Sequence, residues 1–295
     1  MIDIHTTTNE VLWAFFLVSL VLGVISQRTH FCTLGALSDI VHMEDWTRAR
    51  QWILATATAM LGFAYLCDIS AINPAKTLYA SNRLMWLSAI VGGFMFGYGM
   101  VNASGCGNKT LVRIGGGNLK SLVVFIVMGI SAFATLKGLT AVVRAKYLDV
   151  VALDIPSGSH MGSLLSSAMG GEAQQLAVYA GYAIGGLFAL ARKDFRTIEN
   201  AVAGIGVGLT VIVLWWVSGH LGFIEEHPET LESVYLATNS GRIEALTFVA
   251  PAAYLLDWLL FFSDTSKVLT AGIVSALGVI AGACVSAILN QSFRW

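Results

Sequence analysis

Apolar residues run through this chain in long blocks separated by short polar stretches. Eight blocks stand out, at 11–26, 51–70, 84–101, 119–143, 175–191, 201–221, 243–262 and 268–289. A helix needs roughly 20 mostly apolar residues to cross a bilayer, and most of these blocks approach that length. The pattern therefore predicts an all-α polytopic membrane protein with about eight spans. Residues 1–10 carry no Lys or Arg. A cleaved signal needs a basic leading region, so block 11–26 reads as a retained first span. One transmembrane transport domain is expected over 1–295, its first half about 1–146 and its second about 173–295.

Composition sharpens this. Charged residues make up 12% of the chain and hydrophobic ones 56%, whereas soluble domains carry about 25% charge. The chain has too little polar surface to coat a soluble globule. Gly is abundant at 30 and Pro scarce at 4, as suits helices whose backbones approach closely in lipid. With a net charge of −1, no basic face points to nucleic acid. The positive-inside rule orients the spans. With the N-terminus outside, the inner side receives Arg28, Arg48, Arg50, Lys109, Arg113, Lys120, Arg192, Lys193, Arg196 and Lys267. Those ten cations stand against six outside: Lys76, Arg83, Arg144, Lys146, Arg242 and Arg294. The acidic loop at 225–229 also falls outside.

Two connections are neither polar loops nor full spans. The first is 28–39, and the second is the Gly-rich, semi-apolar stretch 102–118. Segments too short to span are re-entrant or interfacial. Irregular backbone at membrane depth survives only where protein buries it or water lines it. These two Cys-containing segments are therefore the expected re-entrant elements of a substrate path. A short likeness between 82–86 and 291–295, each pairing Arg with Trp, suggests an internal parallel repeat.

Cys32 and Cys106 sit inside these odd connections. A thiol is a weak hydrogen-bond donor with a soft sulfur, suited to a soft, sulfur-bearing anion. A buried Cys is also a common small apolar packing residue, and both readings stay open at this point. Gly105 and Gly107 flank Cys106 and let backbone approach a ligand. Asn108 follows. Lys109 and Arg113, four apart, share a helix face that would attract an anion; simple inner-side anchoring is the competing explanation. Arg28 and Asp39 flank Cys32 and are expected to pair across the first loop, with interfacial snorkelling the alternative for Arg28. Cys67 and Cys284 lie in ordinary spans as packing residues, a disulfide between them being the minor alternative. The triplet Gly115–117 lacks the Gly-Lys-Ser/Thr of a phosphate loop. Asp257, within a span, is expected to bond a neighbouring helix.

Metal-ligand spacing is missing around His30, Cys32 and His42, and His5, His160, His220 and His227 are scattered. No hydrolase signature occurs. No cofactor, no metal and no enzymatic activity are expected.

The stretches RTHFCTLGALSD at 28–39 and SGCGNKTLVRIGGGNLKS at 104–121 resemble the YeeE/YedE family of bacterial inner-membrane proteins. The second is the more specific, and the likeness in layout covers the whole chain. The resemblance implies short helices dipping towards a central path, and uptake of thiosulfate by motif cysteines that contact the ion and relay it inward. On this chain those are Cys32 and Cys106. It also implies a third Gly-Cys loop after a further span, where this chain ends, so a C-terminal span of the family is expected to be missing. The leading expectation is thus uptake of thiosulfate or a related sulfur anion. The alternatives are a persulfide relay to a cytoplasmic sulfurtransferase and a partner-dependent structural subunit.

Overall fold

A computed structural model of the chain describes residues 4–78, 80, 82–155, 171–226, 231–264 and 267–294. Ten helices organise it: α1 Ile4–Thr29, α2 Thr33–Met43, α3 Thr47–Asp68, α4 Trp86–Asn102, α5 Gly107–Gly115, α6 Leu119–Lys137, α7 Gly171–Leu190, α8 Ile198–Leu221, α9 Ala250–Leu260 and α10 Ala271–Leu289. Among the described residues, sheet is confined to two antiparallel ribbons of two-residue strands, Arg83–Leu84 with Leu153–Asp154 and Phe223–Ile224 with Val234–Tyr235.

Five helical stretches are long and apolar enough to cross a membrane: Ile4–Met43, Trp86–Gly115, Leu119–Lys137, Ile198–Leu221 and Ala271–Leu289. The remaining predicted blocks fare differently. Block 51–70 forms α3, whose first turn carries Arg48 and Arg50. Block 175–191 lies in α7, where Val178–Leu190 is a shorter apolar helix. Block 243–262 helps form only α9, because Pro251 sits in the helix's first turn, where its missing N–H costs nothing. Ile243 is held outside the helix by bonds to Lys76 O at 3.1 Å and from Leu78 N at 3.1 Å. Block 119–143 breaks at Gly138, between α6 and the short helix Leu139–Val143.

The bundle is built around α1 and α10, which share the most extensive contact in the fold. Their backbones meet through small residues. A methyl group on Gly278 would lie 2.7 Å from the Phe16 carbonyl oxygen, and one on Gly282 or Gly23 would overlap the carbonyls of Leu20 and Val279. Small residues are how helices associate in lipid, where burying apolar surface brings no advantage over contact with acyl chains. α8 and α3 flank this pair on one side, with α7 against α3. α5, α6 and α9 flank it on the other.

Polarity follows the same logic. Ser19 and Ser286 are fully buried, whereas Phe94 and Leu139 are 79% and 83% exposed. Such an apolar outer surface is at home in a bilayer and a liability in water. α4 is the extreme case, with no buried residue. It is tied to the body through the turn Arg144–Leu148 and a bond from Ser88 Oγ to Asp149 Oδ1 at 2.5 Å.

The repeat suggested by 82–86 and 291–295 finds different local structure at its two ends. Arg83 and Leu84 form a strand, whereas Gln291 takes a left-handed exit from α10 (φ 53°). Trp295 lies outside the described residues, as do His160 and the stretch 227–230 of the acidic loop.

Filling the central seam tests this packing. Gly282→Val drives a side chain into the Leu20 backbone, and overpacking costs about 1–3 kcal/mol or more. The detergent-solubilised variant should lose monodispersity at a lower temperature than the parent. Gly92→Val, where nothing lies within 4 Å, should match the parent. Equal heat resistance of the two variants would contradict the central role of the α1–α10 seam.

Candidate functional site

Two long helices, α1 and α4, end in the same way. Each closes with a residue in the left-handed region, His30 (φ 51°) and Ser104 (φ 55°), two positions before a cysteine. At Ser104 the turn is a Schellman closure: Ser104 N donates to Val101 O at 3.1 Å and Gly105 N to Met100 O at 3.0 Å. Each cysteine then adopts extended backbone and becomes the N-cap of a short helix. Cys32 (φ −157°, ψ 130°) caps α2, and Cys106 (φ −76°, ψ 173°) caps α5. At 9 residues, α5 is about 14 Å long at ~1.5 Å per residue, less than half a hydrocarbon core of ~30 Å.

α5 is nonetheless deeply enclosed. Gly107, Asn108, Thr110, Leu111, Val112 and Gly115 are all buried, against α10, α6 and α1. Its close fit to α10 depends on Gly115, where a methyl group would lie 2.5 Å from Ile280 O. Thr110 returns its hydroxyl to Cys106 O at 3.1 Å. Asn108 Nδ2 donates to Ser26 Oγ at 3.3 Å, while its buried Oδ1 has no partner. Phe31, beside Cys32, stacks on Trp52 of α3 at 4.5 Å and joins the core cluster that holds Leu111 and Val112. One apolar core thus locks both cysteine turns together.

The result is a meeting of two helix N-termini. Cys32 and Cys106 are both buried free thiols, near enough to one another to interact electrostatically. Each cysteine's carbonyl accepts the first bond of its helix, Cys32 O from Ala36 N and Cys106 O from Thr110 N, both at 3.0 Å. Helix N-termini carry partial positive charge and exposed N–H groups, a combination that favours anions. Lys109 stands within electrostatic reach of both thiols, with Arg113 and Arg48 beside it. The stems of Lys109 and Arg113 run back over Gly105, where a methyl group would lie 3.0 Å from Lys109 Cγ and 4.0 Å from an Arg113 terminal nitrogen. Lys109 and Arg113 thus share a face, at the helical spacing of four.

Asp39 pairs with Arg48 at 3.3 Å and not with Arg28. Arg28 is exposed in the last turn of α1, where a cation complements the helix C-terminus. Arg48 also lies against Gly35, 2.7 Å from where a side chain there would begin. It is the residue that sequence reasoning treated as an inner-side anchor only. A signal was available. Arg48 and Arg50 occupy the first turn of α3, the end at which the macrodipole disfavours cations, so something else holds Arg48 there. The turn before it is fixed by Asp45, which accepts from Thr47 N at 2.9 Å and Thr47 Oγ1 at 2.6 Å. Those bonds hold the Asp45 carboxyl below the ordinary carboxylate range.

A cavity of about 770 Å³ opens between α4 and α6, mostly apolar, with Gly105, Gly107 and Thr110 at its floor. Cys67 and Cys284 are half-buried free thiols away from this site, without a disulfide. Asp257 pairs with Lys267 at 2.6 Å. No group of three or more metal-ligating side chains occurs among the described residues.

Residues 28–295 match the family described as Sulphur transport. The chain is 29% identical over 129 residues to the thiosulfate transporter TsuA of Spirochaeta thermophila, a match covering 43% of this chain and 37% of that protein. It is 22% identical over 285 residues to the thiosulfate transporter TsuA of Escherichia coli, covering 92% of this chain and 74% of that protein.

The left-handed turns are testable. Ser104→Gly should leave the melting temperature unchanged or raise it, since Gly carries no Cβ penalty. Ser104→Val should be less stable than Ser104→Gly by about 1–2 kcal/mol, the cost of a left-handed conformation for a residue with a Cβ, or more for a branched side chain. Thermal unfolding of both variants in detergent checks this, and a valine as stable as glycine would sink it.

Proposed function

The chain belongs to the sulphur transport (YeeE/YedE) family, and from that premise we propose that it carries thiosulfate or a closely related sulfur anion into the cell past Cys32 and Cys106. The observation that carries this reading is the pair of buried cysteines, each capping the N-terminus of a short helix, whose turns pack into one core. Amides, two weak S–H donors and the charge of Lys109 meet at one buried point. Such a point favours an anion with a polarizable sulfur. The two TsuA relatives are named for thiosulfate, and that substrate is carried over here as part of the proposal.

In this reading α2 and α5 are re-entrant elements and the cavity beside α4 is the vestibule to Cys106. The unpartnered edge of the Asn108 amide supplies hydrogen-bonding capacity next to the path. In this reading the chain sits in the bacterial inner membrane with its N-terminus outside, the orientation that the ten-to-six distribution of cations over eight spans favours. The burial of both thiols favours passage over a persulfide relay, because a catalytic thiol must be exposed to its partner enzyme. A cytoplasmic sulfurtransferase then consumes the imported sulfur without forming part of the path.

Uptake of labelled thiosulfate decides the matter, in cells lacking other thiosulfate and sulfate importers. The parent chain should raise uptake above the empty-vector level. Cys32→Ala and Cys106→Ala, expressed at matched levels, should return it to that level. Lys109→Ala should raise the half-saturating concentration by roughly 10- to 100-fold, as expected for a charge-assisted hydrogen bond worth about 1.5–3 kcal/mol. A Cys106→Ala variant that transports like the parent would refute the role of the thiol.

A further inference from the structure

A cleft that opens onto hydrocarbon does not stay empty in a membrane, because bare walls forfeit the dispersion contacts that packed atoms make. The cavity of about 770 Å³ between α4 and α6 is such a cleft. We infer that it holds one acyl chain of an anionic phospholipid, whose phosphate rests on Lys120 and Arg113. This goes beyond the transport reading and does not depend on it.

The walls turn a polar occupant away. All four polar side chains that line the cleft bond back to their own backbone. Ser131 Oγ donates to Val127 O and Thr135 Oγ1 to Ser131 O, both at 2.9 Å. Thr110 Oγ1 donates to Cys106 O at 3.1 Å, and Asn102 Nδ2 to Tyr98 O at 2.9 Å. What a guest meets instead is Met95, Phe96, Val123 and Val127, all exposed, so the cleft is open sideways. At Gly99, on the α4 wall, an added methyl would find nothing within 4 Å.

Size chooses among apolar occupants. A spanning helix is about 10–12 Å across and about 30 Å long, and would need roughly three times the volume of the cleft. An acyl chain is thinner and runs through one leaflet, about half of a ~30 Å core. The lining follows α4 from Met95 to Ala103 and α6 from Val123 to Leu136. Those runs are about 12 and 20 Å long at ~1.5 Å per residue, which brackets the depth of a leaflet.

Charge chooses the headgroup. Lys120 precedes Val123, Val124 and Val127 by three, four and seven residues, so it continues the cleft-lining face of α6 by one turn. It is exposed. Asn118 N donates to Arg113 O at 3.0 Å, a turn that keeps Arg113 and Lys120 at the same end of the cleft. An Arg113 terminal nitrogen lies 4.0 Å from where a side chain on Gly105, a lining residue, would begin. The ion pairs among the described residues, at Arg48, Arg144 and Lys267, include neither cation. Basic sites between membrane helices bind acidic headgroups in this way. In the transport reading, the acyl chain closes the membrane side of the vestibule and leaves its floor at Gly105, Gly107 and Thr110 to the ion.

The test uses the full-length chain in phosphatidylcholine nanodiscs. A small fraction of the lipid carries a photoactivatable diazirine in one chain, on either phosphatidylglycerol or phosphatidylcholine. After illumination, labelled peptides are located by mass spectrometry. Phosphatidylglycerol should label 95–105 and 123–136 well above other exposed apolar segments such as 139–143, and roughly tenfold more than phosphatidylcholine does, as two basic contacts allow. Lys120→Gln combined with Arg113→Gln should abolish the difference between the two lipids. Val127→Trp fills the cleft from an exposed position and should remove most of the labelling there, whereas Leu139→Trp should leave it unchanged. Labelling spread evenly over the exposed helices of the parent would overturn the site. Equal labelling by the two lipids would overturn the role of the cations. A cleft left unlabelled while the rest of the surface is labelled would mean that protein, a second copy included, covers it, and would overturn the lipid. No readout involves thiosulfate, so failure here and failure of the transport reading are distinguishable.

Discussion

Backbone that leaves a helix at membrane depth must be wrapped by protein or water, because lipid offers no hydrogen bonds. On the proposed reading of α2 and α5 as re-entrant elements, that constraint organises this molecule. The chain breaks helix twice to place a cysteine at the head of a short helix, and each break needs cover. For α5 the cover is α10, α6 and α1. They come close enough only because Gly115 meets α10 and Gly23, Gly278 and Gly282 let α1 and α10 touch backbone to backbone. Small residues far from either thiol are thus what allow the thiols to be where they are. A Schellman closure at Ser104, a hydroxyl returned by Thr110 and a cap at Asn118 account for much of the polar backbone that the breaks release.

The enclosure has an electrostatic result. Two N-termini brought together put like partial charges face to face, and Lys109 adds a full one. The fold offsets part of this by pairing Arg48 with Asp39, whose carboxylate is buried between α2 and α3. Lys109 and the two helix N-termini leave a surplus of positive charge near the cysteines. A site of this kind is costly for the protein when empty and is relieved by an anion, which is the physical content of the proposed function.

How much of this could be read from residues alone depends on range. Span-forming blocks are local, and the long ones at 11–26, 84–101, 201–221 and 268–289 lie in helices able to cross a membrane. The two cysteines were legible because Gly and Cys interrupt apolar stretches where neither a loop nor a span is expected. Their proximity was not legible, since they lie 74 positions apart and no local pattern encodes it. Arg48 escaped for a related reason: its partners, Asp39 and the Gly35 backbone, belong to another helix. Expecting Asp39 to pair with Arg28 followed proximity along the chain, whereas the turn at Glu44 (φ 55°) brings α3 and not the end of α1 to Asp39. The shortening of 243–262 to α9 was also a tertiary effect, imposed by bonds from Ile243 to the stretch 76–78 and punctuated by Pro251.

The choice of thiols at the meeting point follows from what a path requires. Conduction needs a site that favours the ion enough to admit it and weakly enough to release it. Guanidinium forks would grip a divalent oxyanion through paired, charge-assisted bonds, and here the Arg48 fork is already engaged by Asp39. Amides at two N-termini supply attraction without a fixed charge, and S–H donors supply contacts that break easily. Serine would offer stronger bonds but a harder oxygen, less matched to a terminal sulfur.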